Sequence, residues 1–195
     1  MIHKILGRLA AARSFVFAAL ALASFAASAF DTPYLTFRSA ETFSIQINAK
    51  KWDGTIEYST DTLNWATWDG TTTINAALSG DEYFLYLRGT GNTVVNAGNY
   101  RGFALTGTDI SCEGDIETLR DYNGNPPAMG TQCYEYLFKG CASLVRAPFL
   151  SATVLADSCY YNMFQDCTAL TEVPDFPLLQ WRLPAVLGCL RDVLR

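Results

Sequence analysis

Between Thr42 and Asn48 the chain reads TFSIQIN, with Phe43, Ile45 and Ile47 alternating against Ser44, Gln46 and Asn48. A period of two places the apolar side chains on one face of a half-buried strand. TIEYS continues the pattern with Ile56 and Tyr58, and YFLYLRG, from Tyr83 to Gly89, is apolar on both faces, as a strand at the centre of a sheet would be. Turn signals recur at Asp53-Gly54, Asp69-Gly70, Ser79-Gly80 and from Gly89 to Gly91. Their intervals predict a small antiparallel β-sandwich over residues 30–113.

Beyond that region the pattern becomes a repeat. CYEYLFKGCASLVRAPFL, Cys133 to Leu150, aligns without a gap on CYYNMFQDCTALTEVPDF, Cys159 to Phe176. Cys133/Cys159, Tyr134/Tyr160, Phe138/Phe164, Cys141/Cys167, Leu144/Leu170 and Pro148/Pro174 are identical, and these twelve residues form the predicted repeat core. Leu137/Met163 and Ala147/Val173 are conservative, whereas the differences fall mostly on polar positions such as Lys139/Gln165 and Arg146/Glu172. A fixed period of about 20 to 50 residues is the signature of a solenoid, in which each coil buries its apolar face on the next. The i, i+3, i+4, i+7 spacing of Tyr134, Leu137, Phe138 and Cys141 predicts a short helix with all four on one face. Leu144 to Ala147 reads as a short strand, ended by Pro148, which cannot donate to a ladder.

The pattern C-Y-x-x-[LM]-F-x-x-C-x-[SA]-L-x-x-[AV]-P, followed by LSATVLADSCY from Leu150 to Tyr160, resembles the BspA-type leucine-rich repeat surface proteins of host-associated bacteria. The resemblance covers Pro126 to Pro177, about a quarter of the chain. It implies a mainly β fold with short helices, in which a sandwich-like domain (residues 30–113) leads into leucine-rich repeat coils (114–177). It also implies a secreted or cell-surface, non-enzymatic protein of the adhesion type, which binds host or microbial surface molecules.

The segment from Met1 to Ala29 stands apart from any fold. Lys4, Arg8 and Arg13 precede an apolar run from Phe15 to Ala26, and Ala27-Ser28-Ala29 forms an A-x-A cleavage signal. These features predict a secretory signal peptide cleaved after Ala29, with no stable membrane span left in the mature chain. Cleavage removes three of the 14 basic residues and none of the 19 acidic ones, leaving 11 against 19 and a net charge of −8. Such a surface, without a basic stripe, excludes nucleic acid as a partner. The expected partner is an extracellular protein or glycan.

The leader also takes with it His3, the one histidine in the sequence. Ser-His-Asp and Cys-His mechanisms and imidazole-ligated zinc are thereby excluded from the mature chain. Glycosidase chemistry, which needs two carboxylates, is not, and Asp53 with Asp69 is the pair to test for a secreted carbohydrate-active enzyme. The six cysteines lack zinc-finger or C-x-x-C spacing, so no metal site or cofactor is expected. Buried reduced thiols are the preferred reading, with disulfides the alternative that export permits.

Trp52 and Trp68 stand beside the turn acids Asp53 and Asp69. With Trp65 they are either a glycan-stacking platform or, the preferred reading, tryptophans packed on the sandwich. DYNGNP, Asp121 to Pro126, lacks the distal glutamate of a calcium loop and reads as a turn into the first repeat. Among the repeats, Glu135, Lys139, Arg146, Gln165, Asp166 and Glu172 are expected to be exposed and to carry specificity. After Pro177 the cysteine-tyrosine pair expected at 185 and 186 is replaced by Ala185-Val186, so no third coil is predicted. Residues 178–195 are either a helical cap or the mark of a truncated fragment of a longer repeat protein.

Overall fold

The structure is a computed structural model and describes residues 34–172. The leader with its Ala29 cleavage site, Pro174 and the tail lie outside the described residues. The strands, in chain order, are β1 (Leu35–Ser39), β2 (Ser44–Ile47), β3 (Thr55–Ser59), β4 (Ala66–Thr67), β5 (Ile74–Asn75), β6 (Ala77–Ser79), β7 (Glu82–Thr90), β8 (Phe103–Thr106), β9 (Ile110–Glu113) and β10 (Leu144–Arg146). The fold is mainly β, built on two sheets.

The larger sheet runs β10-β9-β1-β7-β3-β4, with β6 also pairing β7, and the smaller runs β5-β2-β8. β7 is central, as its two-faced apolarity predicts: Leu85 and Leu87 face inward opposite Phe37 and Leu35 of β1, while Phe84, Tyr86 and Arg88 line the half-buried outer face. The small sheet contributes the alternating Ile45 and Ile47 of β2, both buried. Phe37 and Phe103 meet edge to face at 5.9 Å, joining the two sheets through their inner surfaces. β9 and β10 pair in parallel, so the large sheet continues past Glu113 into the first repeat.

The predicted strand at Leu144 is therefore β10, but the predicted helix is not formed. Among the described residues there is one short 3-10 turn, Ile116–Leu119, and no α-helix. Residues 131–140 and 157–166 are instead successions of turns. The backbone takes positive φ at Gln132, Tyr136 and Gly140, and at their counterparts one repeat later, Ser158, Asn162 and Asp166. A left-handed residue every fourth position interrupts the helical path before it can close an i to i−4 bond. Buried residues accordingly come in pairs four apart, Cys133-Tyr134, Leu137-Phe138 and then Cys141, rather than along a helical stripe.

Each turn divides its N–H groups between two uses. Odd-numbered ones fold back locally, as from Leu137 to the Tyr134 carbonyl at 3.1 Å. Even-numbered ones cross to the second repeat: Gln132, Tyr134, Tyr136, Phe138 and Gly140 donate to the carbonyls of Asp157, Cys159, Tyr161, Met163 and Gln165, at 2.7 to 3.0 Å. The sandwich treats the first repeat the same way, with Val95 and Asn96 donating to Cys133 and Phe103 to Leu137. Gly102 allows this approach, since a Cβ there would lie 2.0 Å from the Leu137 carbonyl oxygen. Side chains follow the same axis: Trp52, Trp68, Phe103, Phe138 and Phe164 form an aromatic column with successive centroid distances of 5.6, 6.2, 5.3 and 5.2 Å.

Candidate contact surface

Where the sandwich meets the repeats, the loop after β7 is held by two fully buried asparagines. Asn92 accepts the Gly54 N–H and donates to the Thr55 and Leu119 carbonyls. Asn96 donates to the carbonyl of Glu135 at 2.6 Å. The sequence suggests an exposed Glu135, but this loop covers it to 7 %. Burial pushes its carboxyl above the ordinary range, against hydrogen bonds from the Gly98 N–H and the Gln132 side chain.

This anchoring sets Tyr100, 65 % exposed, against the half-buried Tyr136 at 4.7 Å. Tyr136 meets Tyr161 edge-on at 5.6 Å, one layer further along, because the Tyr136 N–H donates to the Tyr161 carbonyl. The Lys139 ammonium lies 3.6 Å from the Tyr100 ring centroid and 4.8 Å from that of Tyr136. The result is a strip of tyrosines with a cation, running from the sandwich across both repeats. Lys139 belongs to the contact residues that the sequence suggests, whereas the tyrosines do not. Aligning the repeats on their cysteines pairs Tyr136 with Asn162 and Tyr161 with Glu135. The crossing backbone bonds fall one position short of that register, which hides the strip from the comparison.

The remaining predicted residues are placed as follows. Cys133, Tyr134, Phe138, Cys141, Leu144, Pro148, Cys159, Tyr160, Phe164 and Cys167 are buried, and Leu170 is half-buried. Cys112, Cys133, Cys141 and Cys167 are free thiols, and those of Cys141 and Cys167 donate to the carbonyls of Phe103 and Phe138 at 3.2 and 3.0 Å. Burial pushes the Cys167 thiol up to about 12. Arg146, Asp166 and Glu172 are exposed, and Lys139 and Gln165 are half-buried.

The tryptophans do not form a platform. Trp52 and Trp68 are 4 % and 1 % exposed and stack on each other inside the sandwich. Trp65 is half-buried, with the Arg88 guanidinium 4.0 Å from its ring centroid and Tyr34 packed at 4.8 Å.

The two turn acids are committed to their own loops. Asp53 accepts the Thr93 hydroxyl and the Thr93 and Val94 N–H groups. Burial raises its carboxyl pKa, but these bonds outweigh that and hold it below the ordinary range. Asp69 is likewise held low by the N–H and hydroxyl of Thr72. A glycosidase acid must retain its proton near neutral pH, which neither environment favours. A cleft of about 650 Å³ opens between the 3-10 turn and residues 151–156, and neither acid lines it. Its floor is the ion pair of Arg120 with Glu117, which also accepts the Tyr134 hydroxyl at 2.9 Å. Asp121 accepts the Asn123 N–H, closing a turn as its sequence implies. Among the described residues no helix is long and apolar enough to cross a membrane. No protein-family model, curated protein or solved structure matches the chain significantly.

Proposed function

We propose that the chain is an exported, non-catalytic binding protein, a short member of the BspA-type leucine-rich repeat class in which the repeats form a solenoid capped by the sandwich. Its partner is a host or microbial surface protein or glycan. The observation that carries this reading is the strip Tyr100, Tyr136 and Tyr161 with Lys139, in which Tyr100 and Tyr161 are exposed and Tyr136 is half-buried between them. Tyrosine offers a large amphipathic contact at low entropic cost, and aromatic residues dominate binding hot spots.

The test uses labelled chain beginning at Phe30, applied to cultured epithelial cells and to intact bacteria. Saturable binding to one of them is expected. Tyr100→Ala combined with Tyr161→Ala should weaken it about tenfold or more, with an unchanged thermal midpoint. Absence of binding to both surfaces, or equal binding by the double variant, would refute the assignment.

A further inference from the structure

The outer face of the large sheet, opposite the one that packs on the small sheet, carries a row of half-buried aromatic rings. Phe84 and Tyr86, two residues apart on β7, stack at 6.0 Å with their planes 5° apart. Tyr86 meets Tyr34 edge-on at 6.3 Å, and Tyr34 meets Trp65 at 4.8 Å. The Arg88 guanidinium continues the row, lying 4.0 Å from the Trp65 ring centroid and 4.4 Å from that of Tyr122. Local bonds fix this end, since the Trp65 indole N–H donates to the Thr62 carbonyl at 3.1 Å and the Tyr122 N–H to the Gly89 carbonyl at 3.0 Å. Tyr122 also lines the cleft of about 650 Å³, so the row ends there. In that cleft Arg120 is 4 % exposed, and its Nε–H meets no acceptor among the described residues. Buried donors without an acceptor are rare, so the cleft lacks one oxygen.

We propose that this row and cleft bind a neutral polysaccharide, with sugar rings laid along the aromatics and one end entering the cleft. The charges on the face disfavour an ionic partner, because they already satisfy one another. Arg38 bridges Glu82 and Glu113 at 2.9 and 2.8 Å, Arg88 holds Glu57 at 2.8 Å, and Arg146 reaches Glu113 at 3.4 Å. Three arginines thus match three glutamates, on a chain whose formal net charge is −5. A protein docked here would strip water from these pairs, and that desolvation offsets most of their attraction. Sugar hydroxyls avoid the cost, since each can donate to a glutamate and accept from the neighbouring arginine. The C–H face of a pyranose carries slight positive charge, which the negative face of an aromatic ring attracts. Asp115 and Asp121 line the cleft and disfavour an anionic sugar there, whereas a hydroxyl or ring oxygen suits the Arg120 Nε–H. Trp65 therefore serves with Tyr34 and β7 rather than with Trp52 and Trp68. The site shares no residue with the Tyr100 strip and does not rest on that reading.

Native gels containing mixed-linkage β-glucan, galactomannan or xyloglucan test it on the full chain. At least one of these neutral polysaccharides should retard the protein, and heparin and polygalacturonate should not. Trp65→Ala and Tyr86→Ala should each weaken the retardation about tenfold or more, with Tyr86→Phe recovering most of the loss because the ring carries the contact. Thermal midpoints identify which variants keep the fold, and either alanine variant that keeps it is sufficient. An oligosaccharide of about six sugars should bind about tenfold or more tightly than its disaccharide, because it alone reaches along the row into the cleft. Retardation by none of the neutral polysaccharides, retardation by heparin at least as strong, an affinity independent of sugar length, or unchanged binding by a folded alanine variant would overturn the proposal.

Discussion

The sandwich and the repeats satisfy their backbones in different ways. A central strand such as β7 divides its ladder between β1 on one side and β3 and β6 on the other, and is complete only when all three are present. A repeat sends alternate N–H groups across and returns the rest to residue i−3, so half of its bonds form without any neighbour. Sheet formation therefore fixes the sandwich through the backbone, whereas the repeats depend more heavily on side chains to bring layers together. The aromatic column is that side-chain link: Phe138 touches Phe37 and Phe103 of the sandwich on one side and Phe164 on the other.

The sharpest way to break this contrast is Phe138→Ala. Removing a fully buried ring shared by both regions should cost about 3 to 5 kcal/mol, read from urea denaturation. Phe164→Ala should cost less, since its described aromatic contact is with one layer. Equal losses would mean that the column does not couple the regions.

The next effect comes from pH. Burial raises the thiol pKa of Cys112, Cys133, Cys141 and Cys167, with Cys167 reaching about 12. A thiol whose folded pKa exceeds its unfolded value of about 8.5 contributes stability in full below that value. The contribution is lost as pH climbs toward the folded value, because the unfolded chain has then released its proton. Stability should fall above about pH 9, each thiol contributing up to about 1.4 kcal/mol per pH unit. Denaturation midpoints between pH 8 and 10, with Cys167→Ala as a control of shallower slope, check it.

A smaller effect distinguishes turn from helix by its sign. Gln132 holds φ of 57°, so Gln132→Gly should stabilise the chain by up to about 1 kcal/mol, whereas glycine in a helix interior costs about that much. Chemical denaturation reads it. Smallest of all is Arg146→Ala. Its 3.4 Å contact with Glu113 is solvent-exposed, and less than about 0.5 kcal/mol should be lost in a denaturation series.

The same contrast explains how far the sequence could be read. Alternation in TFSIQIN located β2 because its period is set by the strand itself. In the repeats the spacing of Tyr134, Leu137, Phe138 and Cys141 fits a helix and a ladder of four-residue turns almost equally over so short a span. The adjacent buried cysteine, Cys133, was the cue to a period of four. Left-handed Tyr136 and Gln132 give no warning, since neither residue type announces positive φ. Trp52 and Trp68 were legible as packing, but Tyr100 joined Tyr136 and Tyr161 only through the buried Asn96 and the crossing bonds.

The one-way hydrogen bonding between layers also makes the repeats electrically directional. Peptide groups whose N–H and C=O bonds point along a common axis add their dipoles, as they do in a helix, leaving partial positive charge where the N–H groups end. Asp166, exposed at that edge of the second repeat, stands where the first repeat has Gly140. A carboxylate there sits at the N–H end of the two described repeats, and a lysine in its place would oppose the field accumulated across them.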